Sequence, residues 1–85
     1  MKGDDIAARL LEFAVAALEI STRLPANRPE RQMASQLVCA GTAGRAHYEE
    51  ARVAERRADF VHKIRSAAKE VRESRYWLNV IQRAK

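Results

Sequence analysis

The chain has 85 residues, a net charge of +5 and one cysteine, Cys39. This length supports one domain with a modest core, and a single cysteine excludes an internal disulfide. Sixteen residues are alanine, whereas glycine and proline number three and two, so the composition predicts an all-α protein, an antiparallel helical bundle over residues 1–85. An alanine-rich core buries little apolar area, which favours self-association. The basic balance favours polyanionic partners.

The first residues lack the pattern of an export signal or a membrane anchor. Asp4 and Asp5 stand where a signal peptide carries positive charge. The apolar run from Leu10 to Leu18 is interrupted by Glu12 and is too short to span a bilayer. Together with the single cysteine, these features predict a cytoplasmic protein that does not contact a membrane.

The first predicted helix covers residues 4–24 and has one apolar side. Pro25 excludes the α conformation at Leu24 and so ends the helix. The apolar side, at helical spacing, consists of Ile6, Leu10, Phe13, Ala17, Ile20 and Leu24, and the polar side of Asp5, Arg9, Glu12, Glu19 and Arg23.

The second predicted helix covers residues 29–54. Asn27 is the expected N-cap, with Glu30 at capping-box spacing and Pro29 in the first turn. Gly41 and Gly44 lie in the middle, where each glycine costs about 1 kcal/mol relative to alanine. We therefore expect another backbone to approach closely there, within the chain or from a partner. The inward positions are Met33, Leu37, Ala40, Gly44, His47 or Tyr48, and Ala51.

The third predicted helix covers residues 58–83, after a turn near residues 54–59. No breaker residue marks this turn. It is predicted because one continuous rod would give the apolar stripes little to pack on. Apolar or small residues recur in the third helix at alternating steps of four and three, namely Phe60, Ile64, Ala67, Val71, Ser74, Leu78 and Ile81.

All of the net charge comes from this last helix. Residues 57–85 hold eight Lys or Arg against three acids, so the preceding residues are neutral. Such uneven charge predicts an electrostatic footprint for nucleic-acid phosphates, and the predicted contacts are Arg65, Lys69, Arg72 and Arg75. A solvated basic face without a specific ligand is the alternative.

Tyr76 and Trp77 are adjacent near the end of the third helix. Their rings could stack on bases, but aromatic residues are enriched at the cores of subunit interfaces. We predict that Tyr76, Trp77, Gly41 and Gly44 lie at an oligomer interface or a partner contact.

No residue pattern indicates catalysis, a cofactor or a metal. Asp59-x-x-His62 and the reversed His47-x-x-Glu50 do not match the paired Glu-x-x-His motifs of di-iron bundles. Cys39 lies eight residues before His47, about 12 Å along a helix axis and beyond contact. We predict that Cys39 is a small buried apolar residue. The sequence thus predicts a non-enzymatic protein with no cofactor.

Two blocks of the sequence resemble a known family. They are QLVCAGTAGRAHYEEA, Gln36–Ala51, and DFVHKIRSAAKEVRESRYWLNVI, Asp59–Ile81. They resemble the bacterial four-helix-bundle proteins encoded by intervening sequences of 23S ribosomal RNA genes, also called S23-like proteins. The run shared with that family consists of Asp59, Phe60, His62, Lys63, Lys69, Glu70, Glu73, Tyr76, Trp77 and Leu78.

The resemblance implies a fold and an assembly rather than a reaction. Related structures are ring-like homopentamers, and a similar accessory protein of diversity-generating retroelements is basic and pentameric and binds nucleic acid and a reverse transcriptase. The family usually has arginine, serine and asparagine where this chain has Cys39, Ala43 and His47, and a small residue where Arg45 stands. It also usually has a fourth helix after the block that ends in Leu78.

Two function classes remain open. The first is a non-enzymatic homo-oligomer, a pentamer by resemblance, that binds RNA or DNA. The second is an adaptor whose groove takes a partner helix, for example from a polymerase or reverse transcriptase. An enzyme ranks last, because no nucleophile–base or carboxylate pair has suitable spacing.

Overall fold

The computed structural model describes residues 3–84, which form three α-helices with short connections. They are α1 (Asp4–Thr22), α2 (Arg28–Arg52) and α3 (Arg57–Arg83). Both α1 and α3 pack on α2, and within residues 3–84 they come no closer to each other than 8 Å between Cα atoms. The described part is therefore an antiparallel helical bundle in which α1 and α3 run parallel, which confirms the predicted all-α class.

The connection between α1 and α2 follows from its prolines. α1 ends at Thr22, two residues before the predicted end, and Arg23 is its C-cap. Asn27 is the N-cap of α2, with extended backbone angles, and a proline occupies the first turn. The Asn27 side chain makes no capping hydrogen bond, so the predicted reciprocal capping box does not form.

The connection between α2 and α3 lies slightly earlier than predicted. It covers Val53–Arg56, whereas the sequence places it at residues 54–59. The 79% exposed Val53 is the C-cap of α2, and α3 begins at Arg57. Among residues 3–84, no helix is long and apolar enough to cross a membrane.

The core is thin and contains mostly alanine. The buried apolar residues of the described chain are Ala7, Ala17, Leu37, Ala40, Ala51, Ala67 and Ile81. Leu37 is fully enclosed, and the half-buried Ile20, Leu24, Met33, Trp77 and Leu78 pack around the cluster of Ala17, Leu37 and Ile81. Because alanine removes little apolar area from water, much of the apolar surface of the larger side chains stays accessible.

Gly41 and Gly44 bring α2 close to its two neighbours. A Cβ on Gly41 would lie 2.7 Å from the Cβ of Ala17 in α1, and a Cβ on Gly44 would lie 3.3 Å from Cγ2 of Val71 in α3. Both glycines are buried within the chain. The prediction that they lie at an oligomer interface or partner contact is therefore wrong, because the approaching backbones belong to α1 and α3.

Side chains near the end of α2 reach back to the start of α1. Arg45 Nη1 donates a hydrogen bond of 2.8 Å to the carbonyl oxygen of Ala7. The Tyr48 hydroxyl donates one of 3.1 Å to the carbonyl of Gly3, which has a left-handed φ of 91°. Arg52 Nη2 lies 2.6 Å from Oδ1 of Asp4. This row fixes the register of α1 on α2.

The contact between α2 and α3 carries surface ion pairs instead. Lys63 Nζ lies 3.0 Å from Oε1 of Glu50. His47 lies between two carboxylates, 3.3 Å from Glu50 and 3.9 Å from Glu70. Ser74, which is fully buried, donates to the carbonyl of Glu70 one turn earlier in its own helix, at 2.9 Å. Ser74 is the only buried polar residue within residues 3–84, and its hydroxyl needs no partner on α2.

Candidate nucleic-acid interface

The outward side of α3 carries a row of cationic side chains. The exposed Arg65, Lys69, Arg72, Tyr76 and Arg83 follow each other at spacings of four, three, four and seven residues. At about 100° per residue they fall within about 60° of the helix circumference. This row, hereafter the basic stripe, is roughly 27 Å long at 1.5 Å per residue.

Arg75, the fourth predicted contact, is exposed but lies to one side of the basic stripe. Ten residues separate it from Arg65, which places it about 80° away around the helix. Three of the four predicted cations therefore share one face, and Arg75 lies on the side of α3 that faces α1.

Carboxylates are absent from the basic stripe. The three described acids of α3 lie outside it: Asp59 pairs with Arg56 at 3.0 Å, and Glu70 lies near His47 on the α2 side. Glu73 is one turn after Lys69 and about 40° around the helix from it. Within residues 3–84, Arg65, Lys69 and Arg72 have no carboxylate within 4.0 Å. The cations of the stripe are therefore exposed and form no ion pair with the acid nearest to them, Glu73.

Tyr76 and Trp77 have different environments, although their rings meet edge to face with centroids 5.0 Å apart. Trp77 is half-buried and packs against the core cluster, and its Nε1 is buried without a hydrogen-bond partner in the described chain. Tyr76 is 59% exposed and lies within the basic stripe. Trp77 therefore supports the fold, and Tyr76 offers an aromatic surface among cations.

Some features of this surface differ from the sequence predictions. Cys39 is exposed, so the prediction that it is buried is wrong. Cys39 lies on the side of α2 opposite the core. Its alanine and threonine neighbours in the sequence do not indicate that this side is exposed. Arg83 was missed as a member of the stripe, although its spacing of seven residues from Tyr76 gives the signal.

A search of solved structures supplies the relationship. The chain matches the crystal structure of a protein with unknown function from the S23 ribosomal protein family of Bacteroides thetaiotaomicron, with a TM-score of 0.90 and 35% sequence identity. The match covers 100% of this chain and 76% of that chain. The chain belongs to the S23 ribosomal protein family. The S23-like resemblance of its two sequence blocks is thereby confirmed.

No family model and no curated protein matches this S23-family chain. The shared fold accounts for the helical arrangement, and the residues on the surface of this chain decide what it can bind.

Proposed function

We propose that this S23-family chain is a non-enzymatic nucleic-acid-binding protein that acts as a homo-oligomer. The observation that carries the proposal is the exposed basic stripe of α3, whose cations Arg65, Lys69 and Arg72 form no ion pair within residues 3–84. Phosphates on one strand of a duplex are about 3.4 Å apart along its axis, so a stripe of roughly 27 Å spans about eight nucleotides. Four cations over that length suit a phosphate backbone, and Tyr76 suits an unpaired base.

The same surface predicts weak sequence preference. Contacts to phosphates fix position on the nucleic acid but carry no base information. The basic stripe has one aromatic ring and no amide or carboxylate that would read base edges. RNA and DNA are therefore both expected ligands, with single strands favoured where Tyr76 can stack on a base.

The oligomeric part of the proposal rests on the thin core and on exposed apolar side chains. Ile6, Leu11, Val15 and Leu18 of α1 are between 46% and 52% exposed. Association would bury this area and would place several basic stripes on one particle. Linked stripes bind one strand more tightly than a single stripe, because each later contact forms at a high effective concentration.

Fluorescence anisotropy with labelled RNA and DNA at several salt concentrations tests nucleic-acid binding. We expect log–log slopes of about −0.7 to −0.9 per phosphate contacted. Arg65→Glu/Arg72→Glu is expected to weaken binding at least about tenfold, since it replaces attraction to phosphate by repulsion. The matched control is Arg28→Glu/Arg31→Glu, which makes the same change in net charge at exposed positions of α2.

Two results would contradict the proposed binding. One is the absence of any anisotropy change at 50 mM salt. The other is an equal loss in both double variants, which would indicate a response to net charge alone rather than a site on α3.

The alternative function is an adaptor that binds a helix of a polymerase-type protein. It is favoured by an apolar groove between the ends of α1 and α3, a cavity of about 370 Å³ lined by Ile20, Leu24, Leu78 and Ile81. If the chain is an adaptor of this kind, replacing Arg65 and Arg72 by glutamate leaves its affinity for RNA and DNA unchanged. The anisotropy experiment therefore separates the two functions.

A further inference from the structure

The last turns of α3 carry a shallow hollow on the outer side of the helix, hereafter the α3 hollow. Its volume is about 420 Å³, and it is lined by Tyr76, Asn79, Val80, Arg83 and Ala84. The other four residues follow Tyr76 after one and two helical turns, so the hollow is about 12 Å long. It combines an aromatic ring, an amide, a cation and aliphatic groups, a set that suits one flat heterocyclic ligand.

Tyr76 contributes a ring that is exposed and yet held in place. The side chain is 59% exposed, and its ring meets that of Trp77 edge to face, with centroids 5.0 Å apart and planes at 74°. Because Trp77 packs against the core cluster, this contact restricts movement of the Tyr76 ring. The ring therefore offers a preorganised surface on which a base can stack.

Asn79 and Arg83 add hydrogen-bond donors to the same hollow. Both are exposed, and none of the described residues that line the hollow is acidic. Within residues 3–84, neither side chain forms an ion pair or a side-chain hydrogen bond. A ligand can therefore bind both groups without displacing a contact of the described chain.

These donors match the edge of a purine better than that of a pyrimidine. Adenine and guanine share the N7 acceptor, which pyrimidines lack. Asparagine pairs with adenine through N6 and N7, and arginine pairs with guanine through O6 and N7. A purine also has the larger ring system and therefore stacks more strongly on a tyrosine.

We propose that the α3 hollow binds one unpaired purine of a single-stranded nucleic acid. The base stacks on Tyr76, and its N7 edge faces Asn79 and Arg83. This inference rests on the proposed nucleic-acid binding and deepens it. In a duplex both faces of a base are covered by its neighbours, so Tyr76 stacks only on an unpaired base.

The purine preference concerns one position of the bound strand. The basic stripe has no group that reads base edges, whereas Asn79 lies beside it, about 60° around the helix from Tyr76. Arg72 is one turn before Tyr76, and Arg65 and Lys69 lie further along the same face. These cations bind the phosphates of neighbouring nucleotides without regard to the base.

Fluorescence anisotropy with labelled single-stranded DNA probes tests the proposal. One probe is an oligothymidine, and the others have a single central adenine, guanine or 7-deazaadenine in place of thymine. We expect the adenine and guanine probes to bind at least about fivefold more tightly than the oligothymidine. 7-Deazaadenine has carbon at position 7, so it stacks but does not accept a hydrogen bond there. Its probe is expected to lose most of the gain.

Substitutions in the hollow locate the preference. Asn79→Ala is expected to reduce the gain for the adenine probe at least about threefold and to leave the affinity for oligothymidine unchanged. Tyr76→Ala is expected to weaken binding of every probe about fivefold, and Tyr76→Phe to retain wild-type binding, because stacking needs the ring rather than the hydroxyl. The matched control is Gln32→Ala, which removes an exposed amide of α2.

The phosphate contacts are tested separately from the purine site. Arg65→Glu/Arg72→Glu is expected to weaken binding of all probes in the same proportion and to preserve the ratio between adenine and thymine. Circular dichroism checks that each variant retains the helix content of the wild type, which is expected because all of these positions are exposed.

Three results would overturn the inference. Equal affinities for the adenine and thymine probes, with binding still dependent on salt, would refute the purine site and leave nucleic-acid binding by the basic stripe intact. A full gain with 7-deazaadenine, or in Asn79→Ala, would show that no group of the hollow reads N7. Failure of every probe to bind at low salt would refute both the purine site and the proposed nucleic-acid binding.

Discussion

The α1–α2 contact and the α2–α3 contact share one helix but depend on different interactions. On the α1 side, Gly41 faces the Cβ of Ala17, and Arg45 and Tyr48 donate to backbone carbonyls of α1. On the α3 side, Gly44 faces a methyl group of Val71, and flexible charged side chains form the polar contacts.

This difference predicts that the two contacts tolerate change unequally. A Cβ is fixed to its backbone, so relief of a clash with Ala17 requires a helix to move. The Val71 side chain can adjust by rotation, and lysine and glutamate pairs on the surface contribute little. We therefore expect the position of α1 to depend on exact volume and that of α3 to depend mainly on apolar burial.

Alanine at the two glycines gives the largest expected contrast. Gly41→Ala places a Cβ 2.7 Å from the Ala17 Cβ, and overpacking of this kind costs about 1–3 kcal/mol. Both variants gain about 1 kcal/mol in helix propensity, and this gain offsets much of the strain only in Gly44→Ala, whose Cβ meets Val71 at 3.3 Å. Urea denaturation of the two variants measures the contrast. Equal free energies of unfolding would contradict it.

Loss of a polar side chain at each contact gives a smaller contrast. Arg45→Met removes the 2.8 Å hydrogen bond to Ala7 and is expected to cost about 1 kcal/mol. Its Nε lies 3.3 Å from Glu49 but is not aligned for a hydrogen bond, so that pair adds little. Lys63→Met, which breaks a surface pair, is expected to cost less than about 0.5 kcal/mol. A larger loss of stability for Lys63→Met would reverse the ranking.

Acid gives the smallest expected effect and acts on both contacts. Arg52 lowers the pKa of Asp4, and Lys63 lowers the pKa of Glu50. Carboxylates with lowered pKa values stabilise the fold above their ordinary pKa of about 4, and this stabilisation is lost as the pH falls through the lowered values. Asp4→Asn and Glu50→Gln should each reduce the loss of melting temperature between pH 7 and acid. An undiminished loss in both would show that other groups dominate.

Much of this fold could be predicted from helical periodicity and two prolines. Pro25 and Asn27 mark the first connection, so the ends of α1 and α2 are within two residues of their predicted places. The second connection has no breaker residue, and only packing decides that it starts at Val53. α1 was harder to orient, because apolar residues also occupy its outward side.

The candidate site was predictable to a different extent. The uneven distribution of charge along the sequence was enough to predict α3 and the cations Arg65, Lys69 and Arg72, which lie exposed on one face of that helix. The contacts of Gly41 and Gly44 could not be predicted, because a small residue indicates a close approach but does not indicate which helix approaches. The exposure of Leu11, Val15 and Leu18 on the outward side of α1 was also missed, since these residues have the same spacing as a core-facing row.

The exposed thiol of Cys39 affects how any assembly of this protein is measured. A lone accessible cysteine can join two copies through an intermolecular disulfide. Air oxidation would then create covalent dimers through α2. Particle masses therefore have to be compared with and without a reductant. In reducing solution the same thiol offers one defined point for a fluorophore or spin label on each chain.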